Sequence, residues 1–240
     1  MAGRPVKAEG VVLRSLRFGE ADRILHVYTR DRGRISAIAK GVRRSKSRFG
    51  GRLEPFSHVA LVLHEGRSDL MTVTGADSIR THRRLREDGP AIDCAARACD
   101  AVGRLFETAE PHPEVFHLLL NELALLDADA GKATHANQLA FRMKLLLAAG
   151  LAPQLSACAS CGEHEHLRGF SGAAGGVVCA ACEAGAFPMS EEAHGFLVAV
   201  VGRPLAEAPG ASERALRQAD RAISETVEHH AHLRLRPALA

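Results

Sequence analysis

The chain has 240 residues, 46% of them apolar and 25% charged, with a formal net charge of +3 and six cysteines. That apolar share is too high for a disordered chain, and no apolar run approaches the length of a helical membrane span. The opening MAGRPVKAEG has no signal-peptide core, so a soluble cytoplasmic protein without a disulfide framework is expected.

The small net charge conceals an asymmetry. Residues 1–86 carry a balance of +11 and residues 87–240 a balance of −8. Basic character confined to the first third favours phosphate binding there, with the remainder a scaffold or a platform for protein partners.

In chain order, the first eighty residues read as strands. Val6–Phe18 is rich in β-formers around Val11, Val12 and Leu13, and Ala21–Arg30 carries Ile24, Leu25, Val27 and Tyr28. An Asp31-Arg32-Gly33 turn leads into Arg34–Lys40. Pro55–His64 places Val59, Leu61 and Leu63 on one side, and Ser68–Thr74 follows a turn at Gly66. Five short strands with no helical period suit a small barrel of the oligonucleotide/oligosaccharide-binding type, the OB-fold.

Between the third and fourth strands lies Lys40–Arg52, KGVRRSKSRFGGR, which holds Lys40, Arg43, Arg44, Lys46, Arg48 and Arg52 and no acid. Six like charges repel, and the glycines and serines among them break regular structure, so the segment reads as a mobile arm for a polyanion; a solvated loop or a targeting-like basic run has the same composition. With Arg34 nearby on the third strand, these six form the expected DNA-binding set. Phe49 is the one aromatic inside the segment and a weak candidate for base stacking, whereas Phe18, Tyr28 and Phe56 read as core or strand-face residues. Barrels of this class commonly meet their ligand through the loops after strands one and four, which sets the position of this segment, after strand three, at odds with the pattern.

From Ser78 the pattern becomes helical. Arg80, Arg83, Arg84 and Arg86 make a second basic cluster at the exit from the barrel. Helices are expected from Pro90 through Phe106, over Glu114–Asp127 as a buried central helix, and over Thr134–Ala149. Ser190 and Ser212 are the expected N-caps of two further helices that return to the same bundle. His117 reads as a core or edge histidine, and His229, His230 and His232 as a solvated helix end, although the last three could share a metal. Cys94 and Cys99 lie in an Ala-rich helical stretch and read as small buried side chains.

Pro153–Pro188 interrupts the helices with a Gly-, Ala- and Cys-rich insertion. Within it Cys158-x-x-Cys161 is followed by Cys179-x-x-Cys182. Two close pairs separated by this interval match a four-thiolate zinc site, closed to water and therefore structural. Redox dithiols are the competing reading, and His164 or His166 could replace one sulfur. No phosphate loop, dinucleotide fingerprint, zinc-protease or serine-hydrolase motif occurs, so no enzymatic activity is expected. The domain plan is then 1–80 barrel, 81–153 helical bundle, 154–188 finger and 189–240 the remainder of the bundle: an α+β multi-domain chain with an N-terminal five-stranded OB-fold β-barrel followed by a helical bundle with an inserted four-cysteine zinc finger.

Gly19-Glu20-Ala21-Asp22, Tyr28-Thr29, Gly33-Arg34, Ala39-Lys40-Gly41-Val42-Arg43 and Leu53-Glu54-Pro55-Phe56, in that order, resemble the RecO family of bacterial recombination-mediator proteins. The order of barrel, bundle and four-cysteine finger resembles it as well. The resemblance implies a barrel that binds single- and double-stranded DNA and anneals complementary strands. It also implies partnership with RecR, contact with single-stranded DNA-binding protein, and help in loading RecA, in the cytoplasm and at the nucleoid. On the same resemblance Lys40, Arg43 and Arg44 are expected to take the DNA-contacting role, and Cys158, Cys161, Cys179 and Cys182 to hold one structural Zn2+. Two other classes fit the residues: an RNA-binding or ribosome-associated zinc protein, and a nucleic-acid-modifying enzyme with unrecognised catalytic groups.

Overall fold

The computed structural model describes residues 5–66 and 69–238. By internal contacts the chain falls into two compact units that meet in sequence at Ala130 and Gly131.

The first unit is built on five strands: β1 (Pro5–Phe18), β2 (Asp22–Thr29), β3 (Gly33–Ala39), β4 (His58–His64) and β5 (Leu70–Arg80). They close into a barrel in the order β1-β2-β3-β5-β4, with β3 and β5 parallel and every other pair antiparallel. This is the OB-fold arrangement. The length of β1 makes it possible. Its first half pairs with β4 (Pro5↔His64 to Val11↔His58) and its second half with β2 (Gly10↔Thr29 to Phe18↔Asp22), with a bulge between Val12 and Arg14 bending the strand from one partner to the other. Val12, Leu25, Val27, Ile35, Ala37, Val59, Leu61, Leu63 and Val73 fill the interior. The alternation Val59, Leu61, Leu63 is the inward face of β4, as its period of two requires.

Gly33 turns the chain from β2 into β3 at φ +57°, and an added Cβ would meet the Glu110 carbonyl oxygen at 2.2 Å. Beside it the Arg34 amide donates to the Thr108 carbonyl. Two expected strand limits move. Phe56 has φ +69°, so the chain cannot enter β4 there, and the strand starts at His58. β5 continues to Arg80, past the expected change of pattern at Ser78, because its ladder with β4 runs to the His58↔Arg80 pair. Ser68, the expected start of this last strand, lies outside the described residues.

Two helices complete the first unit, α1 (Gly89–Leu105) and α2 (Pro113–Ala128). Asp88 caps α1 by accepting from the Ala91 amide, and Pro90 sits in the first turn, where its missing N–H costs nothing. The buried side of α1 is mostly small residues, Ala91, Cys94, Ala95, Ala98 and Ala101, which permits close packing on α2 and β1. Cys94 and Cys99 are buried as expected. α2 buries Val115, Phe116, Leu119, Leu123 and Leu126 and leaves His117 exposed, an edge histidine.

The second unit holds α3 (His135–Ala148), a three-stranded sheet of β6 (Leu167–Ser171), β7 (Gly176–Cys179) and β8 (Phe187–Pro188), and then α4 (Glu191–Gly202) and α5 (Glu213–Ala231). Ser190 and Ser212 cap α4 and α5 by accepting from the amides of Ala193 and Ala215. α3 packs against both later helices. Its Arg142, only 3% exposed, bonds Asp220 of α5 at 3.1 Å and the carbonyl of Arg236. Among the described residues no helix is long and apolar enough to cross a membrane.

Candidate nucleic-acid interface and metal centre

The basic segment is not a free arm. Phe49 and Leu53, each 1% exposed, enter the barrel interior and pack with its core, and Val42 packs against the same cluster. A run of turns connects them: the amides of Arg44, Ser47, Gly50 and Arg52 donate to the carbonyls of Gly41, Arg44, Ser47 and Phe49. The segment is therefore a plug, held by two apolar side chains spaced four residues apart, with its charges on the outside. This corrects the sequence reading in two respects. Like-charge repulsion does not detach the segment, because charges pointing into water are screened while the burial of Phe and Leu side chains is worth about 1.5–3 kcal/mol each. Phe49 itself is unavailable for base stacking. Replacing Phe49 with alanine is expected to destabilise the barrel by about 3–5 kcal/mol, the usual result of emptying a buried aromatic site, measurable by urea denaturation; a change below about 1 kcal/mol would show that Phe49 holds nothing in place.

Lys40, Arg43, Arg44, Lys46, Arg48 and Arg52 are all exposed. Among the described residues none of the six forms an ion pair, whereas Arg23, Arg30, Arg32 and Arg80 of the same unit all do. What the six do bond is backbone or ring: Arg43 donates to the Glu20 carbonyl at 3.0 Å, Arg52 to the carbonyls of Arg48 and Phe49, and the Arg48 guanidinium lies 4.8 Å over the Phe49 ring.

The start of the segment is tied to the β1–β2 turn. The Gly41 amide donates to Asp22 Oδ1 at 2.7 Å and the Arg43 amide to the Ala21 carbonyl at 2.9 Å. With the Arg43 side chain on Glu20, three hydrogen bonds place the loop after strand three beside the loop after strand one. The position that seemed unusual in sequence thus adjoins a loop that this class of barrel uses for its ligands. Asp22, at the start of β2, is an anchor for the basic segment. At that turn Phe18 is 49% exposed, which its strand-face reading accommodates.

Arg34 stands apart from the six. Its guanidinium donates to the Gly103 carbonyl of α1 at 2.9 Å and approaches His26 Nδ1 at 3.5 Å, and it helps lower the pKa of that histidine after burial, the larger cause. The second basic cluster divides. Arg80 pairs with Asp127, and Arg86 is drawn inward to the Pro55 carbonyl and Ser57 Oγ, while Arg83 and Arg84 face solvent.

In the second unit the four cysteines converge, with their sulfurs all within 4.8 Å of one another. Zn–S bonds of about 2.3 Å in a tetrahedron put the sulfurs about 3.8 Å apart; Cys161 Sγ and Cys179 Sγ are 3.7 Å apart, far beyond a disulfide. The first pair wraps a turn in which the Gly162 amide donates to the Cys158 carbonyl, at φ +81°. The second leaves the end of β7 and enters a single 3₁₀ turn at 180–182. The Ala159 amide bonds the Val177 carbonyl and so joins the two knuckles. Backbone amides, that of Cys179 foremost, pull the Cys158 thiol down to about 6, whereas hydrogen bonding with Cys161 and Cys179 pushes the Cys182 thiol up to about 12. Four sulfurs this close cannot all be thiolates without a cation, so the donor set fits a soft divalent metal.

His164 turns to the Ser156 carbonyl, and the set closes on sulfur alone. His229, His230 and His232 are exposed at the end of α5 and belong to no metal-sized group among the described residues.

Comparison with known proteins covers nearly the whole chain. Residues 1–82 match the family described as Recombination protein O N terminal, and residues 86–237 match Recombination protein O C terminal. The chain belongs to the RecO family. The N-terminal match spans β1 to β5 and the basic segment, and the C-terminal match spans α1 to α5 and the four cysteines. A DNA repair protein RecO from Rubrobacter xylanophilus is 41% identical over 90% of this chain and 88% of its own length. One from Anaeromyxobacter sp. strain K is 38% identical over 96% and 93%, and one from Bifidobacterium adolescentis is 43% identical over 72% of each.

Proposed function

We propose that this RecO-family chain is a DNA-binding repair protein without enzymatic activity. It binds single- and double-stranded DNA without sequence preference and anneals complementary strands. With RecR it helps load RecA onto DNA coated by single-stranded DNA-binding protein, in the cytoplasm and at the nucleoid. The observation that carries the DNA-binding part is the row of six exposed cations with no acidic partner among the described residues, held on one end of an OB-fold barrel. Unpaired guanidinium and ammonium groups are ready to take phosphate oxygens, and Arg does so bidentately. Lys40, Arg43, Arg44, Lys46, Arg48 and Arg52 are the proposed contacts; Arg34 is a secondary one, because taking a phosphate would cost it the Gly103 carbonyl.

Phosphate contacts position a strand without reading it. Annealing follows from the same charge: two strands repel through their phosphates, and a surface that neutralises both lowers the barrier to pairing. The four cysteines hold one Zn2+ in a structural site, which organises the insertion and takes no part in chemistry. The buried cluster around the sulfurs is small, Cys158, Val178 and Cys179 with partly buried neighbours, so the metal supplies much of the energy that folds the two knuckles.

Annealing of complementary oligonucleotides at several salt concentrations tests the reading. If about five phosphates are contacted, log affinity for single strands falls against log salt with a slope of roughly −3 to −4. A slope near zero would remove phosphate charge as the basis of binding. The same titrations on duplex DNA and on RNA separate this reading from an RNA-binding one, which requires RNA to bind the more tightly.

A further inference from the structure

Of the ten phenylalanine and tyrosine side chains, nine are buried; Phe18 alone is exposed, at 49%. It closes β1 opposite Asp22, immediately before the turn to which the basic segment is bonded. Arg17, next to it in sequence, and Arg43, whose side chain bonds the Glu20 carbonyl two residues further on, are exposed cations, and Phe18 makes no aromatic contact with another ring among the described residues. An apolar ring left in water at the rim of an unpaired cationic surface is the pairing of features that single-strand binders use: charge for the backbone, a ring face for a base.

We propose that Phe18 is a stacking platform for one unpaired nucleobase of a single strand whose phosphates lie on Arg43 and its neighbours. This rests on the nucleic-acid reading above and adds a discrimination that charge alone lacks. Within a duplex both faces of every base except those of the terminal pairs are already stacked, so away from duplex ends only an unpaired strand can offer a face to Phe18. The platform therefore favours single strands before pairing and releases the base once it enters a duplex. Because every base has such a face, no sequence preference arises.

The chain contains no tryptophan, so Phe18→Trp creates a single reporter at the position in question. The full-length variant is titrated with end-labelled oligothymidylate, with an abasic deoxyribose-phosphate chain of equal length, and with a duplex. Anisotropy of the label reads binding, and tryptophan emission reads stacking. Emission is expected to be quenched by oligothymidylate, with the same midpoint as the anisotropy, and to stay unchanged with the abasic chain and the duplex. A companion Phe18→Ala chain is expected to lose about tenfold in single-strand affinity and nothing in duplex affinity. Bound oligothymidylate with unquenched emission, or an alanine variant that binds both forms as before, overturns the stacking role and assigns the exposed ring to a protein contact instead. Absence of any anisotropy change overturns the nucleic-acid reading itself, and the platform with it.

Discussion

A chain carrying Arg43→Glu together with Arg44→Glu is expected to bind single-stranded DNA about 100-fold more weakly than the parent and to anneal complementary strands barely above the uncatalysed rate. Each substitution removes a charge-assisted phosphate contact, worth about 1.5–3 kcal/mol, and two such losses amount to at least a hundredfold at 1.4 kcal/mol per tenfold. The salt slope should fall in magnitude by about 1.4, at roughly 0.7 per phosphate on a single strand. The fold should survive. Both side chains are exposed, and of the three hydrogen bonds that tie the segment to the β1–β2 turn the substitution removes only the one from the Arg43 side chain to the Glu20 carbonyl, leaving the amides of Gly41 and Arg43 on Asp22 and Ala21. Urea denaturation of the variant checks this, since an unchanged midpoint confines the effect to binding. An annealing rate equal to the parent's would show that DNA is held elsewhere.

Cys179→Ser is expected to abolish stoichiometric zinc and to open the 154–188 insertion to proteolysis. A serine hydroxyl does not ionise in this pH range and cannot supply the fourth thiolate. Structural zinc sites are worth about 10–16 kcal/mol at neutral pH, far more than the three-residue buried cluster around the sulfurs can replace. Elemental analysis should find about one zinc per parent chain and substantially less in the variant, and mass spectrometry of limited digests should locate the new cuts between Pro153 and Pro188. DNA affinity should change little, because the six proposed contacts belong to the other unit. A parent chain free of zinc, with its cysteines joined as disulfides, would refute the metal site.

The sequence disclosed most where a local rule acts. Ser190 and Ser212 cap their helices because a hydroxyl before an apolar period satisfies an orphan amide, and that needs no knowledge of the rest of the fold. The inward face Val59, Leu61, Leu63 and the spacing of the two cysteine pairs are equally local. What stayed hidden depends on residues distant in sequence. Phe49 and Leu53 stand four apart in a segment dominated by charge, and only the closed barrel shows the opening that they fill. The bonds from Gly41 and Arg43 to Asp22, Ala21 and Glu20 reach back about twenty residues, so neighbouring sequence does not announce that the loops after strands one and three share an end of the barrel. Arg34 counted as one more cation until α1 supplied the Gly103 carbonyl, and Phe18 read as one more core or strand-face aromatic until every other phenylalanine and tyrosine proved to be buried.

The plug formed by Phe49 and Leu53 binds the charged surface and the hydrophobic core into one object, and this couples occupancy to stability. In the free protein, six like charges on a short segment work against the packing beneath them. A polyanion seated on that segment would remove the opposition, and the whole stabilisation, this relief included, is about 2.7 kcal/mol when it is present at a hundred times its dissociation constant. The barrel would then be weakest when idle, and resistance of the segment to protease would serve as a gauge of how much of the protein is engaged.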